Sequence, residues 1–146
     1  MQNDDKRSPV VLIVDDDYYF STDVLGYHLK RRGYKVLHAY TVKEFEAQWK
    51  QADVIVLDIR LPAEEGYAID PWGGLNALSR ILAKFAKDPP PQLGNCIIRS
   101  AQTEEDAIGA GVPVPPKKYI WFAPDAPFSD VFTAIKKVAG GVHRAA

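Results

Sequence analysis

Three aspartates follow two apolar stretches of this 146-residue sequence, and their positions suggest a chemical site. Asp15 and Asp16 come directly after VVLIV (residues 10–14), and Asp58 comes directly after VIVL (residues 54–57). Short, β-branched apolar runs of this kind are typical of strands that are covered on both faces in a parallel sheet. The carboxyl ends of parallel strands lie at one edge of the sheet, where ligands gather. If the two strands are neighbours, the three carboxylates meet in one pocket.

Carboxylates held this close repel one another, so their pKa values should rise unless a cation lies among them. Mg²⁺ is the natural cation, because it prefers oxygen ligands and is usually held by one or two carboxylates together with phosphate oxygens. A carboxylate can also be the nucleophile toward a phosphoryl group and form an aspartyl phosphate. The alternative is that these aspartates are turn and helix N-cap residues that hold no ligand.

The elements that would position these acids alternate along the chain. Strands are predicted at residues 10–14, 35–40, 54–57, 96–100 and 119–122. Helices are predicted around 24–29 with a stop at Gly33, and at 41–50, 74–87 and 128–141, the last ending at a glycine pair. The run DPPPQLGN (residues 88–95) is predicted to break the third helix. Alternation of this kind indicates βαβ units and a parallel sheet.

The composition describes an ordinary globular chain, with 47% hydrophobic and 25% charged residues. A formal net charge of −1 gives no electrostatic footprint for nucleic acid, and no apolar run is long enough to span a membrane. Cys96 is the single cysteine, which excludes an internal disulfide and fits a reducing compartment. We therefore predict a cytoplasmic protein with no direct nucleic-acid or membrane contact. We also expect residues 1–146 to form a single domain with a core of about 9–140, a polar N-terminal tail and a flexible C-terminal tail.

The segments VLIVDDD, RRGYKV, VIVLDIRLP, IIRSA and KYI together resemble the receiver domain of bacterial two-component response regulators. The resemblance extends over about residues 10–138. It implies an α/β, flavodoxin-like (CheY-like) three-layer sandwich with a five-stranded parallel sheet of order 2-1-3-4-5. It also implies a role in a phosphorelay rather than as an enzyme.

The resemblance assigns roles to individual residues of the suspected site. Asp58 would be the phosphoacceptor, and Asp15 and Asp16 the acidic pair that holds Mg²⁺ together with Asp58. The backbone carbonyl of Arg60 would also contact the metal. Ser100 would donate a hydrogen bond to a phosphoryl oxygen.

The switch residues depart from the family pattern. Tyr119 takes the place of the aromatic switch residue, but Phe122 stands three residues later, where the family has a lysine. Losing a charge-assisted hydrogen bond of that kind costs about 1.5–3 kcal/mol. Lys117 and Lys118, just before the strand, are interpreted as solvated strand-entry residues. Arg99 lies next to Ser100 and is expected to point away from that residue's face, with no assigned role.

Two loops also depart from the pattern. The insertion at residues 63–74 is longer than the family's usual loop, and its Trp72 is expected to cover the pocket, contact a partner or pack the loop itself. Between residues 101 and 118, the sequence VPVPP (residues 112–116) excludes helix, so the fourth helix should be short or distorted. The proline segment is interpreted as a stiff connector, with a docking strip as the alternative.

The sequence therefore predicts a receiver that accepts a phosphoryl group from a histidine kinase or phosphotransfer protein and signals to an unknown downstream protein. Homodimerisation stays open, and the chain is interpreted as a stand-alone receiver or an excised domain. The alternative function is a pseudo-receiver, a protein-binding module that works without phosphorylation. Enzymes are disfavoured: residue 60, two after Asp58, is an arginine where a dehalogenase-type phosphatase needs an aspartate, and no G-x-G-x-x-G follows the first strand.

Overall fold

A five-stranded parallel sheet forms the centre of the molecule in the computed structural model, which describes residues 8–85, 87–114 and 119–145. In chain order the strands are β1 (Val10–Val14), β2 (Lys35–Ala39), β3 (Val54–Leu57), β4 (Leu61–Pro62), β5 (Ile69–Asp70), β6 (Cys96–Arg99) and β7 (Ile120–Phe122). The sheet has the order β2-β1-β3-β6-β7, while β4 and β5 pair separately as a small antiparallel ribbon. Leaving the ribbon aside, this is the predicted order 2-1-3-4-5, and the predicted fold is confirmed.

The helices cover both faces of this sheet. They are α1 (Tyr27–Arg31), which continues a π-helical segment at Tyr19–Gly26, α2 (Val42–Gln48), α3 (Gly73–Ala83), α4 (Pro91–Gly94), α5 (Glu104–Gly109) and α6 (Phe128–Ala145). The six-residue α5 confirms that the fourth helix of the predicted pattern is short. No described helix is long and apolar enough to cross a membrane.

Some helix ends differ from the sequence prediction. Helix α3 stops at Ala83, and the predicted break after it contains α4, whose first turn tolerates a proline because that N–H needs no helical partner. Helix α6 continues through Gly140 and Gly141, since a glycine costs a helix only about 1 kcal/mol. Gly33 does end the first helix, with a positive φ of 91°.

Alternating side chains of the central strands pack on opposite faces, which produces the three layers. Leu12, Val14, Ile55 and Leu57 belong to a cluster with residues of α2 and α3. Their strand neighbours pack on the other face against the first helix and α6; these are Val11, Ile13, Val54 and Val56. Strands β1 and β3 are therefore buried on both sides, as their apolar sequences predict.

The part of the sheet around β6 and β7 has a short strand and a small apolar cluster. Strand β7 has three residues, all part-buried or exposed, and a small third cluster lies beside it around Ile98 and Ala107. Helix α5 begins with a capping box between Thr103 and Asp106. Val112 and Val114 pack on this cluster, whereas Pro115 and Pro116 of the proline segment, with Lys117 and Lys118, lie outside the described residues.

Candidate acid pocket at the carboxyl edge of the sheet

The three predicted acids meet where β1 and β3 end. The two strands pair in parallel with Val14 opposite Leu57, so the residues that follow them leave the sheet side by side. One carboxylate oxygen from each of Asp15, Asp16 and Asp58 lies within 4.8 Å of the other two. We call the concave surface around these acids the acid pocket.

Backbone hydrogen bonds fix both loops that carry the acids. The amide of Asp58 donates to the carbonyl of Val14 at 2.8 Å, and the Asp58 Oδ1 atom accepts from the amide of Arg60 at 3.1 Å. The Asp15 Oδ1 atom accepts from the amide of Asp17 at 2.9 Å. The carboxylates are thus oriented by the chain itself, before any ligand is considered.

Burial makes the ionised acids unfavourable in the pocket. Desolvation raises the pKa of Asp15 to about 6, against smaller lowering effects that include the charge of Arg99. Desolvation, followed by the negative charge of Asp15, raises the pKa of Asp58 to about 7. Nearby cationic charge would favour the charged forms again, so the pocket has the electrostatic character of a cation site.

Glycine at residue 74 lets helix α3 start directly against the Asp58 loop. The Gly74 amide donates to the carbonyl of Ile59 at 2.7 Å, and a Cβ at residue 74 would collide with the backbone carbonyl of Asp58. A Cβ at Gly73 would likewise meet the carbonyl of Leu61. The two glycines therefore permit the close approach of the helix and the loop that holds the central acid.

The far wall of the pocket comes from β6 and the loop after β7. The pocket has a volume of about 420 Å³ and is lined by Asp15, Asp16, Asp17, Asp58, Arg60, Ile69, Arg99, Ser100, Ala101 and Pro124. Ser100 is buried; its amide donates to the carbonyl of Phe122 at 2.9 Å, and its Oγ atom accepts from the amide of Gln102 at 3.1 Å. Ser100 thus shares the pocket with the acids, while its hydrogen bond to a phosphoryl oxygen stays a prediction.

The side chain of Arg99 is the main component that the sequence reasoning missed. The sequence predicts only that this side chain leaves β6 on the face opposite Ser100, and its contact with the Phe20 ring agrees with that. What the sequence did not indicate is that the charged end reaches the pocket, where the guanidinium Nη1 lies 3.6 Å from the Asp15 Oδ2 atom. Strand alternation predicts only where a side chain starts, and arginine is long enough to reach back around the strand end. The available signal was a lone charge in an otherwise apolar strand, one residue before the pocket serine.

Two other expected site residues lie away from the acids. Tyr119 packs beside Leu93, and its hydroxyl donates to the Leu93 carbonyl at 2.8 Å. Phe122 packs with the cluster on the α6 side of the sheet. Neither residue lines the acid pocket, and their assignment as switch residues stays a prediction. Arg60 does line it, while the role of its carbonyl also stays a prediction.

The inserted loop forms part of the pocket through its ribbon. Strands β4 and β5 pair Leu61 with Asp70 and Pro62 with Ile69, and Ile69 reaches the pocket wall. Trp72 instead packs against the third cluster, and its amide donates to the Asp70 Oδ1 atom at 2.9 Å. Because Trp72 does not line the pocket and packs against core residues of the third cluster, the structure favours a packing role for it over covering the pocket.

Comparison with known proteins shows the same fold. A CheY-like response regulator receiver domain protein from Methanospirillum hungatei superposes with a TM-score of 0.64 and 20% identity, over 95% of this chain and 99% of that one. The non-phosphorylated HemR receiver domain from Leptospira biflexa gives 0.62 and 22%, over 90% and 94%. Response regulator TrrA from Thermotoga maritima, in complex with Mg²⁺-BeF, gives 0.61 and 19%, over 89% and 98%. The structure therefore has the CheY-like receiver fold.

Sequence comparison is more limited. The transcriptional regulatory protein VxrB of Vibrio cholerae is 38% identical over 52 residues, which is 36% of this chain. The matched segment spans about a fifth (21%) of that relative's length. No family model matches the chain.

Proposed function

We propose that this chain is a receiver domain of two-component signalling that accepts a phosphoryl group on Asp58. The observation that carries the proposal is the convergence of Asp15, Asp16 and Asp58 within 4.8 Å, at the ends of β1 and β3. Ser100 stands in the same pocket. The receiver fold is the setting in which that arrangement is interpreted, with residues 1–146 as one domain.

The pocket suits Mg²⁺ by the chemistry of its donors. The three acids offer only oxygen atoms, and Mg²⁺ prefers oxygen ligands. Burial raises the pKa of Asp15 and of Asp58, and a cation bound between them would favour their ionised forms. We expect Asp15, Asp16, Asp58 and the backbone carbonyl of Arg60 to hold the ion. Bound Mg²⁺ supplies positive charge to the oxygens of a phosphoryl group.

The acceptor role of Asp58 is supported by its place in the pocket beside Asp15 and Asp16. An Oδ atom of the ionised carboxylate bonds to the phosphorus of the donor, and the bond from phosphorus to the donor's imidazole nitrogen breaks. The electron pair of that bond returns to the imidazole. Because the Ser100 Oγ atom already accepts from the Gln102 amide, its own hydrogen is available to donate to a phosphoryl oxygen.

The partners follow from that chemistry. A histidine kinase or phosphotransfer protein would be the donor, and a downstream protein would bind the phosphorylated form. The similarity to a transcriptional regulatory protein over 52 residues is consistent with signalling of this kind. We propose a cytoplasmic protein that acts through protein contacts, with homodimerisation as one form of output.

A second candidate function is a binding module that works without phosphorylation. The observation in its favour is the position of the expected switch aromatic. Tyr119 directly precedes β7, at the edge of the sheet opposite the acids, and its hydroxyl donates a hydrogen bond to the Leu93 carbonyl. A phosphoryl group on Asp58 would then have no direct route to that side chain. In this case the parent chain and the Asp58→Asn variant would bind the partner equally well.

Intact mass spectrometry after incubation with acetyl phosphate and Mg²⁺ tests the proposal. We expect the added mass of one phosphoryl group on the parent chain and none on Asp58→Asn. Asp125→Asn is a matched control, because it makes the same chemical change at an exposed acid of the neighbouring loop. Absence of the added mass on the parent chain, or its persistence on Asp58→Asn, would overturn Asp58 as acceptor.

A further inference from the structure

The guanidinium of Arg99 is held inside the acid pocket by three different groups. Its Nη1 atom lies 3.6 Å from the Asp15 Oδ2 atom, and its Nη2 atom donates to the carbonyl of Pro124 at 2.9 Å. Its Cζ atom lies 3.7 Å from the centre of the Phe20 ring, within the range of a cation–π interaction. A long side chain with three such contacts has a defined position rather than a solvated one.

This ion pair differs from the other two in the described part of the chain. Lys43–Glu64 and Arg80–Glu46 have side chains that are 43–74% exposed, whereas Arg99 and Asp15 are 19% and 6% exposed. Exposed pairs are screened by water and contribute little, while a desolvated pair interacts much more strongly. The Arg99 charge is therefore less screened than the charges of the two exposed pairs. Burial raises the pKa of both Asp15 and Asp58, and the charge of Arg99 opposes that rise in each case.

The position of the guanidinium gives it two competing partners. It forms an ion pair with an oxygen of Asp15, which is one of the acids expected to hold Mg²⁺. It also faces the pocket that contains Asp58. A divalent ion at Asp15 would displace or repel the guanidinium. A phosphoryl group on Asp58 would instead offer it new anionic oxygens, for which the planar donors of arginine are well suited.

We propose that Arg99 is the resident cation of the acid pocket: it opposes Mg²⁺ at Asp15 before phosphorylation and binds the phosphoryl oxygens on Asp58 afterwards. The second half of this proposal rests on the proposed function. It gives the pocket a tethered positive charge where the sequence has Phe122 in place of a lysine. Through the Pro124 carbonyl, the same side chain connects the pocket to the loop between β7 and α6.

The proposal predicts effects of opposite sign from one substitution. Arg99→Met keeps most of the apolar side chain and removes the charge. We expect its Kd for Mg²⁺, measured by isothermal titration calorimetry, to fall three- to tenfold. With Mg²⁺ saturating, we expect its Kd for beryllofluoride, a phosphoryl analogue, to rise at least tenfold, because a charge-assisted hydrogen bond is lost. A residue that only supports the fold would weaken both ligands together.

Two further variants keep the test decisive. Arg99→Lys retains the charge but not the planar donors, so its Kd for each ligand should lie between those of the parent and Arg99→Met. If Arg99→Met does not fold, Arg99→Lys carries the test, and a loss of affinity for both ligands in that variant overturns the proposal. Arg80→Met removes an arginine from an exposed ion pair and should change neither affinity. Arg99→Met that weakens Mg²⁺, or leaves beryllofluoride unchanged, overturns the proposal.

The proposed function fails in a different way. If the parent chain binds Mg²⁺ but neither takes a phosphoryl group nor binds beryllofluoride, Asp58 is not an acceptor. The Mg²⁺ titration still tests Arg99 in that case, because it needs no phosphoryl group. A lower Kd for Mg²⁺ in Arg99→Met supports the proposal that Arg99 opposes the metal. An unchanged or weaker Kd removes that role as well.

Discussion

Two parts of the sheet differ in how well they are buried. We call β1 and β3, with the helices that cover them, the thick half, and β6, β7 and α5 the thin half. On one side, β1 and β3 are covered on both faces, and every residue of β3 is buried. On the other side, β7 has three residues, of which Ile120 is exposed, and α5 has only six residues. The acids lie at the ends of the thick half, whereas Ser100, Arg99 and Pro124 approach them from the thin half.

The two parts of the sheet supply the pocket with two kinds of group: ligands in fixed positions and groups that can move. Carboxylates that must hold a cation need fixed positions, and strands buried on both faces supply them. Groups that respond to a new charge must move, and regions with few buried apolar contacts open at lower free energy. The contacts of Arg99 with Asp15 on one side and Pro124 on the other join the two halves.

The prediction with the largest expected effect compares two isoleucines of the same sheet. Ile55 in β3 is fully buried, and Ile120 in β7 is 41% exposed. We expect Ile55→Ala to lower the free energy of unfolding by about 2–5 kcal/mol, because it leaves a cavity in a packed core. Ile120→Ala should cost about 1 kcal/mol or less, as exposed positions do. Urea unfolding with linear extrapolation gives both values; equal losses would contradict the two-half description.

The second test uses the acids of the thick half. In metal-free protein the raised pKa values, about 6 for Asp15 and about 7 for Asp58, mean that the folded state retains protons which the unfolded state loses near pH 4. The contribution of these two carboxyl groups to the free energy of unfolding is therefore present below pH 4 and is lost as the pH rises toward 7. We expect Asp58→Asn to gain stability relative to the parent across that window.

Urea unfolding in the presence of a chelator, at several pH values between 4 and 7.5, measures this difference. Asp125→Asn serves as the control, since it removes an exposed carboxylate and should follow the parent at each pH. If the difference in free energy of unfolding between Asp58→Asn and the parent is the same at every pH, the Asp58 carboxyl is not held at a raised pKa.

The smallest test compares two helix caps of the same chemistry. Thr41 caps α2 in the thick half, with its Oγ1 atom accepting from the Glu44 amide at 3.1 Å, and Thr103 caps α5 in the thin half in the same way. Thr41→Ala should lower the free energy of unfolding by about 1 kcal/mol. Thr103→Ala should lower it by about 0.5 kcal/mol or less, because α5 opens locally before the domain unfolds.

Native-state hydrogen exchange distinguishes these two outcomes. Thr103→Ala should speed exchange within α5 and leave β1 and β3 unchanged. If Thr103→Ala speeds exchange throughout the sheet, α5 unfolds together with the core, and the thin half is not a separate unit of stability.

Much of the acid pocket was predictable because it follows from strand ends. Asp15, Asp16 and Asp58 directly follow apolar runs, and parallel pairing of those runs brings them to one edge. The parallel sheet and the short α5 also follow from local pattern, since alternation of strands and helices favours βαβ units and prolines limit the helix. The order of the strands does not follow from that pattern; it was implied by the resemblance to receiver domains.

The parts that escaped prediction depend on distances that a pattern does not encode. Arg99 reaches Asp15 through the length and bending of its side chain, which strand alternation does not describe. The β4–β5 ribbon consists of two-residue strands, too short to leave a periodic signal. Ile69 enters the pocket only because that ribbon forms.

The buried Cys96 gives the natural sequence its own chemical reporter. It is the single cysteine of the chain and lies in β6, between β3 and β7, with its Sγ atom 3.6 Å from the Leu93 carbonyl. A thiol reagent in native buffer reaches the buried Sγ atom only when the packing around it opens, and that packing includes α4 at Gln92 and Leu93. The rate at which one adduct forms on the unmodified protein therefore measures how often the region of α4 and β6 opens, and comparison with and without Mg²⁺ shows whether loading the acids changes that rate.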